Sequence, residues 1–115
     1  MSPEQCRGSP VDHRTDIYSL GVILYEMSVG RVPFDAENPL TILSMHLNEL
    51  PRSFSDAAPS LEAPPGFENL VLKCLAKRPD ERFASMRDVE LALAAIARGE
   101  AVDIDVPISV APPEP

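Results

Sequence analysis

His13 and His46, with Cys6 and Cys74, are the side chains of this 115-residue sequence best suited to nucleophilic, acid–base or metal chemistry. Their spacing speaks against all three. Covalent catalysis needs a nucleophile within hydrogen-bond reach of a base, and a third group to orient that base. Neither histidine has a cysteine, a serine or paired acids at useful spacing. The two cysteines form no CxxC and have no histidine cluster nearby, so a zinc site is not expected. The histidines read as ordinary surface or packing residues, and the cysteines as reduced, partly buried thiols. The five glycines stand at 8, 21, 30, 66 and 99, so none can build the GxGxxG loop that cradles a phosphate.

Charge narrows the partners. The net charge is −8, and it is uneven along the chain. Residues 1–98 hold 14 acids and 10 bases, whereas residues 99–115 hold 4 acids and no base. Without a basic stripe, nucleic-acid binding and docking on anionic lipid are disfavoured. No apolar run approaches the ~20 residues of a membrane span. No basic stretch followed by an apolar one opens the chain, so a cytoplasmic location is expected.

The elements that must position these residues are helical. Residues 2–7 predict one short turn, with Ser2 as cap and Pro3 in the first helical position. Residues 16–29 are apolar on nearly every side (Ile17, Leu20, Ile23, Leu24 and Met27, with Tyr18, Val22, Tyr25 and Val29 opposite), which predicts a buried central helix. Asp12 to Thr15 offer its caps, and Gly30 ends it. Residues 39–48 predict a helix with Leu40, Leu43 and Leu47 on one stripe. Residues 49–64 read as a long proline-bearing connection. Residues 66–76 predict a helix with Phe67, Leu70, Val71, Cys74 and Leu75 inward. Ser85 caps a last helix whose stripe is Met86, Val89, Leu93 and Ile96, closed by Gly99. Residues 99–115 read as an acidic, proline-rich disordered tail.

Several of these segments follow a familiar order. Ser2-Pro3-Glu4, Asp16-Ile17-Tyr18-Ser19-Leu20-Gly21, Leu24-Tyr25-Glu26-Met27, Gly30, Pro33-Phe34, and Leu75-Ala76-Lys77-Arg78-Pro79 through Arg82-Phe83 resemble the back half of a serine/threonine protein kinase catalytic domain. The likeness is greatest to bacterial kinases of the eukaryotic-like type. It covers residues 1–98. It implies an all-α fold, the C-terminal part of the large helical lobe without the N-terminal β lobe. In the family, the glutamate matching Glu4 pairs with the arginine matching Arg82. The aspartate matching Asp16 accepts hydrogen bonds from backbone amides of the catalytic loop. That loop is absent from this sequence, so Asp16 is expected to act as an acid in the first turn of its own helix.

The resemblance also implies a chemistry this sequence does not contain. The complete domain moves the γ-phosphate of ATP, with Mg, onto serine or threonine hydroxyls of proteins. That needs a Gly-rich loop, a lysine–glutamate pair, a catalytic-loop aspartate and asparagine, and a metal-binding aspartate. No Asp-Phe-Gly occurs, and Asp12-His13-Arg14 carries the letters of the catalytic triplet in the wrong order, so it reads as an exposed loop. The expectation is therefore a piece of a kinase whose ATP-handling parts precede Met1. It would have no catalytic, nucleotide or metal residue, would be inactive alone, and would self-associate through bare apolar surface. A stand-alone helical module that docks kinases or their partners through residues 39–48 is the alternative.

Overall fold

The structure, a computed structural model, describes residues 1–107. Among them the chain forms α1 (Pro3–Arg7), α2 (His13–Val29), α3 (Pro39–Asn48), α4 (Phe54–Ala57), α5 (Phe67–Cys74), a 3-10 turn (Pro79–Glu81) and α6 (Met86–Ala97), with no strand. The expected all-α architecture is the one observed. Its shortest dimension is 19 Å, about two helix diameters, so the helices stack two deep.

Local chemistry sets most of the boundaries. Ser2 caps α1 through a reciprocal box: its hydroxyl accepts from Gln5 N–H and its own N–H donates to Gln5 Oε1. Asp12 caps α2 by accepting from Arg14 N–H at 2.9 Å, so α2 begins three residues before Asp16. Gly30 closes α2 in the left-handed region, with φ +89°.

The central seam runs between α2 and α5. Ile17, Tyr18, Gly21 and Tyr25 of α2 face Leu70, Val71 and Cys74 of α5, with Leu75 just beyond it, all buried. Gly21 is the point of closest approach: a Cβ there would lie 2.7 Å from Cys74 Cβ and 3.1 Å from two Leu75 side-chain atoms. Val89 and Ile96 of α6 join this same core.

Four expectations change. First, α2 is covered on one side only among the described residues: Ile23 is 52% exposed and Met27 76%. Second, the inner face of α3 centres on the buried His46, between half-buried Ile42, Leu43, Met45 and Leu47, while Leu40 is exposed. The reason is that α1 and Phe34 pack on the His46 side. Third, the connection 49–64 contains α4, held by Phe54 against the Tyr25 and Phe67 rings and by the Phe54 N–H bond to Glu68 Oε2 at 2.6 Å. A four-residue helix leaves no periodic signal, and Ser53 is its only cap signature. Fourth, the segment after Gly99 is not a free tail over residues 100–107. Val102 and Ile104 pack against the core because they are the apolar positions of an extended stretch. The rest of the expected tail, residues 108–115, lies outside the described residues.

Replacing Gly21 tests the seam. Gly21→Val must push α2 from α5, and overpacking of this kind costs about 1–3 kcal/mol, against which the better helix propensity of valine is a small gain. The expected outcome is a lower denaturation midpoint with an unchanged denaturant slope. A midpoint equal to or above that of the parent would show the seam to be loose.

Candidate functional site

Glu4 and Arg82 are 78 residues apart in sequence and meet inside the molecule. Each is brought there by its own local structure. The Ser2 box orients α1 so that Glu4 points inward. The 3-10 turn Pro79–Glu81 reverses the chain after α5 and delivers Arg82 beneath it. Arg82 Nη1 donates to Glu4 Oε2 at 2.7 Å and Nη2 donates to Glu4 Oε1 at 2.8 Å, a bidentate fork. The remaining guanidinium donors are used as well: Nε reaches Ala76 O at 2.8 Å, Nη1 reaches Arg14 O at 3.0 Å, and Nη2 reaches Lys77 O at 3.3 Å. Five N–H groups thus make five bonds, the full capacity of the side chain. The Tyr18 ring lies 4.9 Å from the guanidinium carbon. Thr15 Oγ1 donates to Glu4 Oε2 at 2.7 Å, which ties the start of α2 to the pair.

A second buried cation stands next to the first. Lys77 has no solvent exposure. Its Nζ sits 4.2 Å from the Phe34 ring centroid and donates to Met45 O at 3.2 Å. The Phe34 ring packs edge-on against His46, whose Nδ1 shares a 2.7 Å hydrogen bond with Tyr18 Oη. Glu4, Thr15, Tyr18, Arg82, Lys77 and His46 therefore form one polar cluster joining α1, α2, α3 and the turn after α5.

The environment sets the charge states. Burial pushes the Glu4 carboxyl up, but hydrogen bonds from Arg82 and Thr15 outweigh it and hold the group at about 2. Burial pulls His46 down to about 4, helped by the positive N-terminus and Lys77. Burial likewise draws Lys77 down to about 8, with Glu49 opposing. Burial pushes Cys74 up to about 12, which leaves it an inert thiol.

Asp16 is not part of the cluster. It is exposed in the first turn of α2. His13 is exposed, with Nε2 2.6 Å from Ala84 O. Sequence reasoning missed Thr15, Tyr18, Lys77 and His46 as members. For His46 a signal existed, since Ile42, Met45 and His46 share an i, i+3, i+4 face. For Lys77, which stands beside Arg78 in the sequence, none did. Among the described residues, no group of three or more His, Cys, Asp or Glu could hold a metal ion. Nor does the cluster offer an open nucleophile. It can hold elements in register, and all five donors of its arginine are already used.

Comparison with known proteins follows the same lines. The profile of the protein kinase domain matches residues 1–92. The chain is 40% identical over 96 residues to serine/threonine-protein kinase pkn3 of Myxococcus xanthus, covering 84% of this chain and 18% of that protein. It is 44% identical over 98 residues to serine/threonine-protein kinase PksC of Streptomyces coelicolor, covering 83% and 17%. It is 39% identical over 107 residues to serine/threonine-protein kinase PknB of Mycolicibacterium smegmatis, covering 90% and 16%. The chain thus spans less than a fifth of the length of these curated relatives.

The cluster predicts the acid limb of stability. Glu4 ionises at about 2 when folded against 4.5 unfolded, so its contribution is complete above pH 4.5 and is lost as pH falls toward 2. His46 takes its proton at about 4 when folded against 6.5 unfolded. The unfolded chain therefore binds more protons between those values, and stability falls from pH 6.5 to 4. Each step amounts to about 3 kcal/mol. Lys77 works at the other end: its folded value of about 8 against 10.5 means stability rises between pH 8 and 10.5. In denaturation at stepped pH, His46→Phe should erase the 6.5-to-4 step. Glu4→Gln should erase the lower step and cost about 3–5 kcal/mol at pH 7, because it leaves Arg82 buried without its counter-charge. A Glu4→Gln loss below 1 kcal/mol would mean the pair is water-exposed in solution.

Proposed function

The chain belongs to the protein kinase family, and on that premise we propose that it supplies the substrate-side helical platform of a bacterial serine/threonine kinase and is inactive by itself. The complete domain would move the γ-phosphate of ATP, with Mg, onto protein serine or threonine hydroxyls. One observation supports this most: the chain's most elaborate buried polar structure serves to pin α1 against α2 and the turn after α5, and it exposes no reacting group. Residues 1–115 contain neither a Gly-rich loop nor an Asp-Phe-Gly, and no phosphoryl-transfer step can be routed through them. They do not fit the nucleotide or its metal. No helix among the described residues is long and apolar enough to cross a membrane, and we place the action of the complete kinase in the cytoplasm.

Partner contact is assigned to α3, residues 39–48, which presents Leu40 at 72% exposure on its outer side. The alternative, a stand-alone module that docks kinases or their partners, rests on this same face. A second apolar surface is the bare side of α2. Ile23 and Met27 there are large and exposed, and contiguous apolar surface of this kind drives association.

Two measurements test the reading. Titration of the chain with Mg-ATP in a calorimeter should give no heat beyond dilution, and saturable micromolar binding would overturn the proposal of an inactive platform. In sedimentation, the chain should self-associate at micromolar concentration. Ile23→Glu with Met27→Glu should return it to a monomer without lowering its melting temperature. A parent chain that is monomeric throughout would favour the stand-alone module.

A further inference from the structure

The segment that follows α6 alternates. Val102, Ile104 and Val106 are half-buried, while Ala101, Asp103 and Asp105 are exposed. A period of two is that of an extended chain lying with one face on apolar support. Each inward residue has a specific seat. Val102 occupies the space that a Cβ on Gly66 would need, beside Ile96, so it wedges between the start of α5 and α6. Ile104 packs on the core. Val106 and Pro107 form one wall of a mainly apolar cavity of about 150 Å³, whose other walls include Leu50, Leu72, Leu75 and Ala76.

The last of these neighbours connects the segment to the polar cluster. Ala76 presents its carbonyl to Arg82 Nε, and the next carbonyl, that of Lys77, takes Arg82 Nη2. The corner Leu75–Lys77 thus has the Arg82 guanidinium on one side and the wall facing Val106 and Pro107 on the other. We propose that residues 102–107 are a strap that braces this corner and couples the C-terminal segment energetically to the Arg82–Glu4 pair. Lifting the strap uncovers Leu72 and Leu75 and frees the Ala76 carbonyl to move. The pair then loses the hold of one of the acceptors of its arginine. Among the described residues the strap makes no backbone ladder with the helices, so its attachment rests on Val102, Ile104, Val106 and Pro107 and can be released without unfolding the core.

A double-mutant cycle on the full chain tests this. Sites with no shared partners multiply their effects on the unfolding constant to within roughly twofold. Val106→Ala and Glu4→Gln, alone and together, should depart from that product by about threefold or more, with Val106→Ala mattering less once Glu4 is gone. Simple multiplication would overturn the proposal. If Glu4→Gln does not fold, Thr15→Val, which removes one bond to Glu4, takes its place. Amide exchange gives an independent reading. Val106→Ala should speed exchange at Ala76 and leave Tyr25 in mid-α2 unchanged, whereas the outward control Asp103→Ala should alter neither. An Ala76 amide that exchanges at the parent rate in Val106→Ala also counts against the strap.

Discussion

A guanidinium cannot be buried cheaply, and the fold depends on how this one is. Taking a cation out of water costs several kcal/mol unless its hydrogen bonds are replaced. Arg82 replaces all five, and it draws the replacements from three separate stretches of chain: Glu4 in α1, Arg14 in α2, and Ala76 with Lys77 after α5. No two of these stretches can move independently without orphaning a donor. The constraint is thus geometric before it is energetic. A buried ion pair adds little net stability over an apolar replacement, but it allows only one arrangement of the pieces around it.

That requirement answers a problem set by α2. A helix apolar on nearly every side has no hydrophobic stripe to say which face should turn inward. The polar-tipped residues decide. Thr15, Tyr18 and Tyr25 fall within about 80° of one another at ~100° per residue, and each finds a partner: Glu4, His46 and the Arg52 carbonyl. Gly21 lies on this side too and lets α5 come close. With those contacts made, Ile23 and Met27 must point away from α5, and they do. The exposed apolar surface of α2 is the consequence of fixing its rotation by hydrogen bonds.

Much of this was legible in the sequence, and what was not has physical causes. The helices and their closing glycines could be read from period and cap chemistry, and Glu4 and Arg82 from the resemblance. The start of α2 was misplaced because Asp12 is the cap actually used, although Thr15 and Asp16 are also of capping type. Short α4 was hidden between prolines. The composition of residues 99–115 is acidic and proline-rich, whereas the alternation of Val102, Ile104 and Val106 is a pattern, and pattern decides burial. Thr15, Tyr18, Lys77 and His46 were missed because a satisfied buried polar group looks, in sequence, like any polar residue.

The two buried cations show why arginine and lysine are not exchanged here. Arg82 sits where a carboxylate fork and three carbonyls converge, which a planar five-donor group can fill and a point charge cannot. Lys77 sits where a single carbonyl and the face of Phe34 are offered, and it answers with a value lowered to about 8. Burial of that ammonium is the weaker bargain of the two, yet it shares its corner of backbone with Arg82: the Lys77 carbonyl serves the guanidinium while the Lys77 side chain reaches α3. The residue therefore carries the order imposed by the ion pair outward to α3. A cluster tied together in this way passes position from one element to the next.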